Sequence, residues 1–75
     1  MYETLRTELE TLGISQHDLG IEVKLADAAV SRLFGGERRL SLPEANEIVR
    51  VVNRRRAERG AGPLTIGDLF PGSET

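Results

Sequence analysis

All the basic residues between positions 31 and 59 are arginines: Arg32, Arg38, Arg39, Arg50, Arg54, Arg55, Arg56 and Arg59. A guanidinium is a planar fork of donors that fits a phosphate or the edge of a guanine. The acids in that segment are fewer, Glu37, Glu44, Glu47 and Glu58, so it is net basic. Residues 1–30 are the reverse, with Arg6 and Lys24 set against Glu3, Glu8, Glu10, Asp18, Glu22 and Asp27. The formal net charge of −2 thus conceals a basic middle between an acidic start and an end carrying Asp68 and Glu74. A negative total argues against a nucleic-acid binder, and this distribution argues for one. The run Arg54–Arg59 also fits a plain solvated helix surface.

Other chemistries find little to work with. His17 is the sole histidine, and no histidine–carboxylate–nucleophile set, phosphate-loop motif or metal constellation is present. Without cysteine there is no disulfide, thiol chemistry or cysteine-ligated zinc. The expectation is a non-enzyme with no metal, cofactor or small-molecule ligand, and a surface or phosphate-adjacent place for His17.

The elements that must position these residues read as helices. Tyr2, Leu5, Leu9 and Leu12 recur at spacings of three and four, which predicts a first helix over 2–12 ended by Gly13. Its acids, Glu3, Glu8 and Glu10, fall off the apolar face. Ser15 opens a second helix, Gln16 to about Val23, with Asp18 three residues on in an Asp version of the capping box. A third helix runs from about Asp27 to Phe34, with Val30, Leu33 and Phe34 inward. Leu25 plugs the turn between the two, and Gly20 lies at their closest approach. This is the spacing of a helix-turn-helix over 16–34.

Ser41, Pro43 and Glu44 mark the start of a fourth helix, which buries Ala45, Ile48, Val49 and Val52 and runs to about Arg59, before Gly60-Ala61-Gly62-Pro63. Thr65 and Asp68 repeat the capping spacing ahead of a last helical turn, 65–70. Leu64, Ile66, Leu69 and Phe70 there either close the core or form a dimer face. Residues 71–75 are expected to fray. Seventy-five residues predict one domain, 1–70, with a small stability margin and no room for an effector domain. No apolar run approaches the ~18 residues of a membrane span, and charges interrupt the N-terminus, so a cytoplasmic protein without a signal peptide is expected.

The stretch I-S-Q-H-D-L-G-I-E-V followed by L-A-D-A-A-V-S-R-L-F-G-G resembles the lambda-repressor-like, Xre-type helix-turn-helix family. Gln16 matches the glutamine that opens the family's second helix, and Gly20 its small residue. Val30 and Leu33 match core positions of its recognition helix, and Phe34-Gly35-Gly36 its exit loop. S-L-P-E-A matches the start of its fourth helix and I-G-D-L-F its closing segment. The likeness runs ungapped from Leu5 to about Val52, roughly two-thirds of the chain, and more loosely beyond. Three departures stand out: Lys24 in place of the turn glycine, Ala26 in place of a Ser or Thr cap, and few long polar side chains on the recognition helix.

The resemblance implies an all-α, compact four- to five-helix domain that binds double-stranded operator DNA, usually as a homodimer. Gln16 would then bond a phosphate or brace the third helix. Asp27, Ala28, Ala29, Ser31 and Arg32 would face the major groove, with Ala28 or Ala29 against a thymine methyl and Arg32 on guanine or phosphate. Asp27 either accepts from cytosine or caps the helix in place of Ala26, and capping is the expectation. Arg38 and Arg39 follow the double glycine as phosphate ligands, with Arg38 also a candidate for a base edge. The expected function is a sequence-specific transcriptional regulator, a repressor on a palindromic operator. The alternative is a protein-interaction module, such as an antitoxin, antirepressor or partner subunit.

Overall fold

Side-chain caps start three of the helices in the computed structural model, which describes residues 2–70. Five helices follow one another, α1 (Glu3–Leu12), α2 (Gln16–Val23), α3 (Asp27–Phe34), α4 (Leu42–Glu58) and α5 (Ile66–Leu69). No strand occurs among the described residues, and the expected fraying of 71–75 lies outside them. None of these helices is long and apolar enough to cross a membrane.

α1 begins one residue later than the apolar spacing predicts, because Tyr2 takes a left-handed conformation (φ 58°) ahead of it. Gly13 (φ 72°) closes it, and the N–H of Ile14 reaches back to the carbonyl of Leu9 at 2.9 Å. Ser15 starts α2 by accepting from the Asp18 N–H at 3.0 Å. Ser41 and Thr65 each form a complete reciprocal box, with Glu44 and Asp68, at the heads of α4 and α5.

The turn from α2 to α3 is Lys24-Leu25-Ala26. Lys24 adopts the left-handed conformation (φ 61°) that glycine would take without penalty. For a side-chain-bearing residue this costs roughly 1–2 kcal/mol. The turn stays tight because the Leu25 N–H donates to the Gly20 carbonyl at 2.8 Å. Gly20 is buried, and a Cβ built there would lie 2.7 Å from the Leu25 carbonyl oxygen and 3.1 Å from Val30 Cγ2.

α4 is the central strut, in contact with α1, α2 and α5. Leu5, Leu9, Leu19, Leu33, Ile48, Val52, Leu69 and Phe70 form the middle of one continuous core. Val49, expected inside, is half-buried, and Val51 is buried instead. Val51 lies on the flank where α2 is drawn against α4, near Glu22 and Arg54. Leu69 and Phe70 close the core, and the Phe70 ring meets Tyr2 edge-on at 5.4 Å. Asn53 clamps the returning chain by donating to the Leu64 carbonyl at 2.9 Å and accepting from its N–H at 2.8 Å.

The arginines at the end of α4 turn inward. Arg54 donates to Glu22 of α2 at 2.9 Å, with Arg55 3.6 Å from the same carboxylate. Arg56 bridges Glu8 of α1 and the Gly62 carbonyl, each at 2.7 Å. Arg59 donates to the Thr11 carbonyl at 2.7 Å. Glu8, expected off the packed face, is half-buried because its position flanks the apolar stripe of α1, where Arg56 meets it.

Candidate nucleic-acid interface

α2 is the helix whose backbone lies closest to α3. Of the other helices only α2 comes within 8 Å of it, Cα to Cα. Val30, Leu33 and Phe34 bury one side, and Asp27, Ala28, Ser31 and Arg32 are exposed on the other. Ala29, expected outward, is half-buried. At about 100° per residue it falls only about 40° from Leu33, on the shoulder of the buried stripe.

Asp27 does not cap α3, contrary to expectation. The cap position is Ala26, which offers no side-chain acceptor, and Asp27 is already the first helical residue. From there its carboxylate faces sideways to His17, whose Nδ1 lies 2.9 and 3.1 Å from the two oxygens. This contact brings the N-terminal ends of α2 and α3 side by side. The first backbone N–H groups of α3 are left without a side-chain cap, pointing out of the same edge that carries exposed Gln16.

The loop after α3 separates two arginines that sequence reasoning treats alike. Arg38 is held by Glu44 through two hydrogen bonds, at 2.6 and 3.2 Å, and is half-buried. It is thus bound into the Ser41 capping box and not available as a phosphate ligand in this arrangement. The Arg39 side chain is exposed and has no hydrogen-bond or ion-pair partner among the described residues, and the same holds for the side chains of Arg32 and Lys24. Arg6, on α1, lies 5.5 Å from the centre of the Phe34 ring, so its guanidinium covers the inner end of α3.

The fork of Arg38, followed by the Ser41 backbone N–H, holds the Glu44 carboxyl well down, to about 2 from an ordinary 4.5. A lowered value means stability that is present above the ordinary value and lost as pH falls through about 2. Glu44→Gln should therefore cost stability at neutral pH, with the gap to the parent chain closing on acidification to about pH 2. Both side chains keep some contact with water, which screens the pair, so about 0.5–1 kcal/mol is expected. Thermal melts of both chains at neutral and acid pH measure it.

One signal could have found part of this arrangement. The Ser-x-x-Glu box places Glu44 beside the backbone just ahead of Ser41, within reach of Arg38. Nothing periodic marks the His17–Asp27 contact, ten residues apart across a turn. Among the described residues no cluster of three His, Cys, Asp or Glu could hold a metal ion. The chain matches no protein-family model, no curated protein and no solved structure.

Proposed function

We propose that this chain is a sequence-specific double-stranded DNA-binding transcriptional regulator whose α2–turn–α3 pair is a helix-turn-helix of the lambda-repressor-like kind. One observation carries the reading. The arginines of α4 are turned to carboxylates or carbonyls, whereas Arg32 and Arg39, on α3 and its exit loop, are exposed and unengaged. α3 is short and small-faced on its exposed side, so it fits a major groove with Ala28, Ser31 and Arg32 against base edges. Gln16 and the exposed N-terminus of α2 then meet the phosphate backbone on one side, and Arg39 meets it on the other. One such helix reads few bases, so a homodimer on a palindromic operator, with half-sites about 34 Å apart, completes the reading. Arg38 acts in it by shaping the loop.

The interleaved acids favour a second reading. Asp18, Asp27 and Glu37, on α2, α3 and the loop after α3, are exposed, and the net charge is −2. A module that binds a basic protein surface would carry such groups.

Selection of bound duplexes from a random pool at low salt, followed by a salt titration, separates the two. A groove binder enriches a half-site or palindrome and loses affinity with a log–log slope near −0.9 per contacted phosphate. Arg32→Ala should then relax preference at one or two base positions, a loss of about 1–3 kcal/mol in discrimination. Arg39→Ala should weaken all duplexes alike and flatten the salt slope by about one unit. Flat, weak binding with no enrichment supports the protein-interaction reading.

A further inference from the structure

His17 is the second residue of α2, and Asp27 is the first of α3. Their contact spans the gap between two helix starts, yet the side chains remain 64% and 71% exposed. With Nδ1 turned to Asp27, the ring's other nitrogen, Nε2, is left for whatever lies outside. In the neutral ring bonded this way Nδ1 carries the proton, and Nε2 is an acceptor that repels a phosphate oxygen. In the cation Nε2 becomes a donor.

The surroundings favour the cation. The hydrogen bond that His17 donates to Asp27, then the charge of Asp27, raise the His17 pKa above the ordinary 6.5; desolvation opposes this, and Asp18 adds to the rise. The charged α4 residues bonded to α2 are Arg54 and Arg55, and Glu22 takes both more than a turn beyond His17. Without the proton, Asp18 and Asp27 leave this edge negative. With it, the His17–Asp27 pair is neutral, and the free N–H groups at the head of α2 face outward beside it.

We propose that His17 is a proton-linked phosphate contact: Asp27 steadies the ring through Nδ1, the imidazolium donates Nε2–H to a backbone phosphate of duplex DNA, and binding takes up one proton from solvent. This rests on the DNA reading above. The phosphate adds a second anion to the one already holding the ring, so the bound state keeps its proton to higher pH than the free state. Affinity therefore rises as pH falls through the window between the two titrations, by up to about tenfold per pH unit, and levels off below it.

Two measurements on the full chain test this. The first is affinity for a selected duplex at fixed low salt, from about pH 5.5 to 8.5. The parent chain should tighten on acidification. His17→Gln, which keeps a side chain able to donate to Asp27 but cannot titrate, should lose that tightening, with the two converging as pH rises. The second follows the single histidine by NMR. Asp27→Asn should lower its titration midpoint in the free chain, and added duplex should raise it in the parent. An equal pH slope in the parent and His17→Gln, or a midpoint that duplex leaves unmoved, overturns the proposal. A chain that binds no duplex at any pH overturns the DNA reading and the phosphate contact together. The Asp27→Asn shift in the free chain identifies that case, because it reports the His17–Asp27 contact without DNA.

Discussion

Phe70→Ala is expected to remove most of the stability of the chain. Phe70 is 1% exposed, seals the end of the core beside Leu69 and makes an edge-on contact with Tyr2. Truncating a buried phenylalanine costs about 3–5 kcal/mol in lost transfer energy and residual cavity. A domain of this size holds only about 4–11 kcal/mol in total. The melting temperature should fall by about 15–30 °C, and a substantial unfolded population should be present near 37 °C. Thermal and urea unfolding followed by circular dichroism measure this, with half-buried Ile66→Ala as a milder companion. A loss below about 1 kcal/mol would return the last segment to the other role its composition allows, an exposed face for a second chain.

Gly20→Val should be nearly as damaging, for a steric reason. At Gly20 the nearest obstacle to a Cβ is the Leu25 carbonyl oxygen, 2.7 Å away, and that carbonyl belongs to the turn and cannot swing aside as a side-chain tip could. Two terms compete on substitution. Alanine in place of glycine gains about 1 kcal/mol of helix propensity, whereas overpacking costs about 1–3 kcal/mol. Gly20→Ala should therefore be mildly destabilising. Valine has less of the propensity gain and adds two methyls against Val30, so a loss of about 3 kcal/mol or more is expected. Because the displaced atoms belong to the turn, α3 must shift relative to α2. Duplex binding should then fall more steeply than stability, which equilibrium unfolding and binding at the same temperature would show. Equal losses in both would mean that the turn absorbs the change without moving α3.

The helices were legible in the sequence because their ends are marked by local chemistry. Ser15, Ser41 and Thr65 cap within three residues of themselves, and Gly13 supplies a left-handed stop. Spacing also indicated that Val30, Leu33 and Phe34 of α3 turn inward, but not that Ala29 is half-buried. Long charged side chains were not legible in this way. Arg56 finds Glu8 across 48 residues, and Arg54 finds Glu22 across 32, so neither pairing leaves a mark on any short window. A basic run on a helix looks the same in sequence whether its heads face water or reach back over a neighbouring helix. Asp27 failed as a cap for a related reason, since cap and first-turn positions differ by one residue and only the backbone shows which is which.

The exposed side of α3 bears on how such a chain can change over time. Ala28, Ser31 and Arg32 are exposed and their side chains have no partner among the described residues, whereas Val30, Leu33 and Phe34 belong to the common core. Substitutions at Ala28, Ser31 and Arg32 should thus each move stability by no more than about 0.5 kcal/mol. Recognition can be rewritten there in single steps that leave folding intact. The inward residues of the same helix have no such freedom, and a lineage of these chains would diverge fastest on one narrow stripe.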